Sequence, residues 1–386
     1  MPDLILIFFL TFTTAILFSR LGVITNNKDI AFGGKFQWNK YYFLSFLIIT
    51  IFLGTREGVG RDYYSYASGY SIGYQTFAFG ESGELGSIWL NNLLYFLGLD
   101  YHSFFFVTSL VTIFLLFNSF RNNFQLLPIG IFIFFIANLF PFVINGVRQG
   151  IAIMSLFNAI RFINTNDRQK MISWNLFWYL FYIALGALFH YSILFFIPLY
   201  FIFNNKVLSL FNSWTLILIV LSGFLISSPL FLTKYIDNII EMVPKYKDYA
   251  ALEKYTIYIG SFRMGAFLIL FVNILPLLFY NRIKKLFPQS RLYFILFSFG
   301  IGFLYAFSKY MMINRVLIYF SSCEIFIYSF LFLYINKYNQ KNIYIRLIPL
   351  VLSSYFIVKF IYVLPSFMEI QVLTNNYSLW FISLIK

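Results

Sequence analysis

The sequence predicts an all-α fold, a polytopic bundle of transmembrane helices, from three observations. Of 386 residues, 60% are hydrophobic and only 11% are charged, whereas a soluble domain runs near a quarter charged and under half apolar. Long apolar runs recur along the whole chain, so dividing its length into soluble domains does not apply. The 28 Lys and Arg against 14 Asp and Glu leave a charge of +14. These charges sit singly between apolar segments rather than on one solvated face, which excludes nucleic acid as the main partner.

A hydrocarbon core of about 30 Å needs roughly 20 apolar residues per helix. About twelve spans are predicted, near 3–19, 41–54, 102–119, 124–144, 146–162, 173–188, 191–204, 208–232, 256–280, 292–308, 311–335 and 343–364, in one integral-membrane domain covering 1–386. The first reads as a retained span, because no base precedes its apolar stretch and no A-x-A pattern follows it. Residues 86–98 (GSIWLNNLLYFLG), broken by Gly98 and Asp100, suit a short interfacial or re-entrant helix. Only FHY separates 173–188 from 191–204, so one long tilted helix is the alternative there. With the amino terminus outside, bases from Arg20 to Arg346 gather in the inner loops with only Asp29 and Asp167 beside them, as the positive-inside rule demands. Two larger outer loops, 55–85 and 233–255, are candidate substrate-covering segments.

The chemistry is bounded by scarcity. Cys323 is the single cysteine, and His102 and His190 are the two histidines, too few for zinc or haem sites. No metal and no cofactor are expected. In TREGVGRDYYSY (55–66), Arg56 and Arg61 lie five residues apart on a glycine-rich stretch and could converge on one anion, pyrophosphate being the natural candidate. An ordinary solvated loop with an ion pair is the plainer alternative. In VINGVRQGIAIM (143–154), Asn145, Arg148 and Gln149 start an apolar helix, whose amides and dipole also favour an anion. His190, in LFHYS, suits removal of a proton from a sugar hydroxyl, or a structural hydrogen bond beside Tyr191. Arg315 (KYMMINRVLIYF) and Arg263 (GSFRMGA) lie at membrane depth, where bases face partners or a wet cavity. Glu324 reads as a structural pairing residue, some 13 Å along the helix from Arg315.

Arginines, one histidine and a few carboxylates among tyrosines such as Tyr63 fit a lipid pyrophosphate that carries a glycan. The anion sits at headgroup level, the tail lies in the bilayer, and sugar faces meet Tyr rings. Arginine donors would bind the departing pyrophosphate more strongly than the ground state. The inner loops have no D-x-D-like pair, which argues against a cytoplasmic sugar-nucleotide transferase.

At these same residues the chain resembles a known family. TREGVGRDYYSY (55–66) is similar to the R-x-x-x-G-x-D-Y signature of the EpsG-like branch of Wzy-type O-antigen, capsular and exopolysaccharide polymerases. GELG (83–86), LGLDYHSFFFVTSLVTIFLL (97–116), NGVRQGIA (145–152), ALFHYS (187–192) and NRVLIYF (314–320) follow in the family's order. The Glu motif reads ESGELG, leaving Glu84 and Glu81 as alternatives for that position.

The resemblance implies a multi-pass glycosyltransferase of the bacterial cytoplasmic membrane with an outward-facing site. It would move growing glycan from undecaprenyl pyrophosphate to the sugar end of a fresh lipid-linked repeat unit, with inversion. A flippase and a chain-length regulator are further partners. Arg56, Arg61 and Arg148 are then expected to bind pyrophosphate or glycan, and Asp62, Glu84 and His190 are the alternative bases. Tyr63, Asn145, Gln149, Arg263 and Arg315 complete the expected substrate site. An O-antigen ligase shares the donor and relies on outer Arg and His. A lipid-linked oligosaccharide flippase would need polar groups along a path through the bilayer, which the one-sided charge disfavours.

Overall fold

A computed structural model of the protein describes residues 2–26, 38–60, 62–71, 84–137, 139–163, 173–226, 264–307, 311–338, 343–372 and 378–379. Nearly all of them are helical. The exception is one two-residue antiparallel pairing of β1 (Arg56–Glu57) with β2 (Ser378–Leu379). The loop 233–255, residues 72–83 of the other large loop, and the expected site positions Arg61, Glu81 and Arg263 lie outside the described residues.

The chain divides into two compact units, Met1–Asn204 with Leu347–Lys386, and Asn205–Arg346. The first unit contains α1 (Pro2–Asn26), α2 (Lys40–Gly54), α3 (Tyr63–Ser71), α4 (Leu85–Phe96), α5 (Tyr101–Ser119), α6 (Leu127–Ile136), α7 (Leu139–Asn145), α8 (Val147–Ile160) and α9 (Trp174–Phe189). They pack in a chain: α1 on α2, α2 on α5, α5 on α8 and α8 on α9, with α4 lying against α5 and α9. Asn39 starts α2 by accepting hydrogen bonds from the Tyr41 and Tyr42 amides, and Ser173 starts α9 by accepting from Leu176.

Helix α8 is the axis of this unit. All its residues except Arg148 are buried. At its far end a polar network staples three helices: Asn118 Nδ2 donates to Asn158 Oδ1 (2.7 Å) and to the Tyr182 hydroxyl (3.1 Å). Asn158 Nδ2 donates to Leu115 O (2.8 Å), and Arg161 Nη1 donates to Asn158 Oδ1 (3.0 Å). A buried hydrogen-bonded network across three helices favours one register of α5, α8 and α9, and so fixes where the opposite end of α8 presents Arg148.

The second unit packs the helix Ser213–Ile226 against Arg291–Ala306, with Met264–Leu278 alongside the first. Asn273 Nδ2 donates to the Tyr305 hydroxyl (3.0 Å), and the Tyr328 hydroxyl donates to Val272 O (3.1 Å).

The expectation of about twelve spans is corrected. Among the described residues four helices are long and apolar enough to cross a membrane: Ile7–Thr25, Tyr101–Ser119, Ile313–Lys337 and Ile343–Ile361. The number rises to six if two bent pairs, Phe124–Ile136 with Leu139–Asn145 and Gly265–Leu278 with Tyr280–Leu286, each count as one span. The segments expected at 41–54, 146–162 and 173–188 are helices of 15, 14 and 16 residues, or about 21–24 Å at 1.5 Å per residue. The stretch 191–204 is a 3₁₀ helix (Tyr191–Phe196) followed by one α-turn, and 208–232 contains the 14-residue helix Ser213–Ile226.

The physical reason is that hydropathy weighs a side chain facing protein and one facing lipid equally. Helix α8 is apolar because it is the core of its unit, and short apolar helices are more often core than span. The break at His190 also decides between one long helix and two segments in 173–204. With the count changed, the odd–even assignment of loops to the two membrane sides no longer follows from it.

Candidate functional site

In the first unit, three segments far apart in sequence end at one place. Glu84 caps the start of α4, with its carbonyl accepting from the Ser87 and Ile88 amides (3.1 and 3.2 Å). Its carboxylate makes no cap bond and turns to its neighbours. Arg148 sits in the first turn of α8, which starts after Gly146. His190 ends α9 in extended conformation, φ −159° and ψ 113°, with its amide bonded to Gly186 O (2.8 Å).

Gly86 makes the meeting of α4 and α9 possible. A Cβ there would stand 2.7 Å from Leu188 Cβ and 2.8 Å from Leu188 O. Only a residue without a side chain lets the α4 start lie directly on the end of α9, which brings Glu84 to His190.

Glu84 is the hub. One oxygen, Oε1, is 2.8 Å from His190 Nδ1, and the other, Oε2, accepts from Arg148 Nη1. Its side chain is 9% exposed, against 20% for His190 and 23% for Arg148. Burial is the strongest single influence on this carboxyl and opposes its charge, yet the His190 hydrogen bond and the Arg148 cation together outweigh it. The carboxyl is therefore held below the ordinary carboxylate range. An ionised carboxylate only accepts hydrogen bonds, so Nδ1 of His190 carries a proton and donates it. In the neutral imidazole, Nε2 is then the free basic nitrogen.

Tyr66 extends the chain of contacts. It is buried, and its ring stacks on Phe104 (5.8 Å, 26°). Burial raises its pKa above the ordinary phenol value, opposed by Arg148 and reinforced by the charges of Asp62 and Glu84. Sequence reasoning missed this residue. The available signal was spacing: Tyr63 and Tyr66 are i,i+3 neighbours on α3 and face α5 together, Tyr63 stacking on Phe105 (4.6 Å, 5°).

The other expected residues fall in different places. Arg56 is 3% exposed: Nη1 donates to Leu53 O (2.6 Å) and Ser109 Oγ (3.5 Å), Nη2 to Ile144 O (3.4 Å), and the guanidinium lies 4.7 Å from the Phe105 ring centre. Asp62 is exposed in the turn before α3. Gly60, at φ +110°, would put a Cβ 3.1 Å from Ile144 O, so this loop lies against the α7–α8 break. Asn145 closes α7 and donates to Pro141 O (3.0 Å), and Gln149 is buried one position after Arg148. Arg315 is exposed on the helix Met311–Ser321 of the second unit. Glu324, buried at the start of the helix Glu324–Tyr338, belongs to that unit too. Among the described residues, no group of three or more His, Cys, Asp or Glu side chains gathers.

Residues 39–377, nearly the whole chain, match the EpsG family. No curated protein and no solved structure matches the chain. With a family match of that extent, the multi-pass helical protein described above belongs to the EpsG family, membrane polymerases of the Wzy type that build polysaccharide by glycosyl transfer.

Proposed function

We propose that the chain transfers a growing glycan from undecaprenyl pyrophosphate to a sugar hydroxyl of a fresh lipid-linked repeat unit, at the outer face of the bacterial cytoplasmic membrane. The observation that carries this reading is the buried Glu84 carboxylate joined to both Arg148 and His190. A base oriented by a carboxylate, beside a cation able to receive an anion, is what displacement of a diphosphate leaving group requires.

On this reading His190 Nε2 takes the proton of the acceptor hydroxyl as its oxygen attacks the anomeric carbon. The bond from that carbon to the phosphate oxygen breaks, its electron pair leaves on the pyrophosphate, and the configuration inverts. Arg148 offers its remaining N–H groups to the charge that develops there. Glu84, kept ionised, is the orienting group rather than the base: it holds Nδ1–H and stabilises the imidazolium. Asp62, exposed beside the α3 start, is placed to meet acceptor hydroxyls. Arg56 acts through the fold, holding the Ile144 carbonyl at the break from which Arg148 emerges.

The test is Arg148→Ala in cells and in membranes supplied with lipid-linked repeat units. Polymer should disappear while single repeat units accumulate on lipid, and R148K should also be impaired, since a point charge lacks the planar fork. Normal chain lengths in R148A overturn the reading. Deletion of the gene separates the related ligase chemistry: a ladder collapsing to one repeat marks a polymerase, whereas intact ladders lacking their final attachment mark a ligase.

A further inference from the structure

The second unit carries a feature that the glycan-transfer chemistry does not use. Lys206, Arg282, Lys284, Lys285, Arg291 and Lys337 come from separate segments of that unit and gather at one of its ends. Lys284 Nζ donates to Phe211 O (2.9 Å) and lies 4.8 Å from the centre of the Tyr280 ring. Arg291 Nη2 donates to Asn205 Oδ1 (3.2 Å), next to Lys206, and its Nε donates to Pro288 O (3.0 Å). Ring contacts of Phe279 with Tyr334 (6.1 Å) and of Phe287 with Phe330 (5.4 Å) bracket the helix Tyr280–Leu286 and seat it on the later turns of the helix Glu324–Tyr338, whose last turn holds Lys337.

The oxygens that Lys284 and Arg291 meet are all neutral, so hydrogen bonds fix these two cations without cancelling their charge. Among the described residues of this unit Glu324 is the sole carboxylate. It starts the helix that Lys337 ends, about 20 Å away at 1.5 Å per residue. An ammonium carries three N–H donors and a guanidinium five, which leaves both groups with donors for a further acceptor. Lys206, Arg282, Lys285 and Lys337 are exposed around them.

We propose that this end of the second unit binds the phosphate headgroup of an anionic phospholipid. The inference stands apart from the function proposed above. Charge by itself would equally suit a soluble anion or an acidic protein segment; the apolar border of the cluster favours lipid. Leu210 and Trp214 are 71% and 70% exposed. Asn212, between them, accepts from the Trp214 and Thr215 amides (2.8 and 3.0 Å) and so starts the helix Ser213–Ile226 at this end. The same helix goes on to expose Leu218 and Leu225. Bases, then a tryptophan, then leucines is the order in which a phospholipid offers headgroup, boundary and acyl chain.

Thermal unfolding of the purified full-length protein in neutral detergent, titrated with phosphatidylglycerol or with phosphatidylcholine, tests the proposal. Phosphatidylglycerol should raise the unfolding temperature at concentrations where phosphatidylcholine does not, and about 0.5 M salt should weaken the rise by screening. Replacing the two exposed bases together, R282Q with K285Q, should lower the apparent affinity for phosphatidylglycerol about ten- to thirtyfold, from roughly fivefold per base. The control R20Q with R121Q removes the same charge from the first unit and should leave the response within about twofold.

Equal responses to the two lipids overturn the proposal, as does a full response to phosphatidylglycerol in R282Q/K285Q or an equal loss in the control. The same stabilisation by inorganic phosphate at matched concentration overturns it in favour of a free-anion site. A response to poly-glutamate with none to phosphatidylglycerol overturns it in favour of an acidic protein partner. Should R282Q/K285Q fail to survive extraction, the exposed pair K206Q with K337Q takes its place, and an undiminished response there overturns the proposal equally.

Discussion

Among the described residues two histidine–carboxylate pairs have almost equal length, and they teach different things. His102 Nδ1 lies 2.9 Å from Asp100 Oδ2, two residues away, and His190 Nδ1 lies 2.8 Å from Glu84 Oε1, 106 residues away. Asp100 is 52% exposed and Glu84 only 9%. The first pair is local, with a solvated carboxylate just before α5, where water screens the attraction. The second forms only when α4 has docked on α9, has a cation on its other oxygen, and works in a poorly solvated place. Bond length does not separate a structural pair from one that can do chemistry; burial, the third partner and sequence separation do.

Four measurements would break or sharpen this contrast. The largest effect is expected at the histidines: H190A should lower kcat by roughly 10²–10⁴, with a smaller change in donor KM, whereas H102A should keep most of the activity. Comparable losses in the two variants would dissolve the distinction. A mutant of His190 impaired only in binding would make the residue a substrate contact and return Asp62 or Glu84 as base.

Next come the carboxylates. E84Q removes the group that specifies the imidazole tautomer and should lower the rate clearly, while D100N should stay within about twofold. Steady-state rates on the same membranes decide it; an active E84Q would mean that Glu84 does not orient His190.

A smaller effect is expected from the glycines beside each pair. G86A drives a methyl into Leu188 and should cost about 1–3 kcal/mol of stability, with activity falling as Glu84 and His190 separate. In G98A the new Cβ meets nothing within 4 Å, leaving the strain of φ +71°, about 1–2 kcal/mol. Thermal unfolding in detergent with parallel activity assays compares them. Equal loss of activity in both would show that close approach at Gly86 is not what builds the site.

The smallest effect is on acid stability. The Glu84 carboxyl is lowered in the folded protein, so its contribution is present above the ordinary value near 4.5 and is lost as pH falls through the lower folded value. Wild-type unfolding temperature should therefore show an acid limb below about pH 4.5 that is reduced in E84Q. An identical acid limb in the two proteins would mean that Glu84 is not held ionised by its neighbours.

Much of the site was legible residue by residue. Arg148 and His190 stand out because a guanidinium at a helix start and a histidine between apolar runs are rare in so apolar a chain, and the family's motif order points to the same positions. Glu84 could not be separated from Glu81 in ESGELG, because nothing local distinguishes two carboxylates three residues apart. Arg56 reads in sequence as an exposed loop cation, yet it is buried, its Nη1 donating to the Leu53 carbonyl and Ser109 and its Nη2 to the Ile144 carbonyl. Tyr66 passed unnoticed as one tyrosine among the 30 in the chain.

Composition and motif order by themselves determined that this is an all-helical membrane protein of one polymerase family, because partition into lipid and repeated residue types are properties of the chain as written. Tertiary structure decided how many apolar segments are long enough to cross and which carboxylate meets which histidine. The reason is common to both: a side chain's worth depends on what surrounds it, and surroundings drawn from residues a hundred positions apart exist only after the helices have packed.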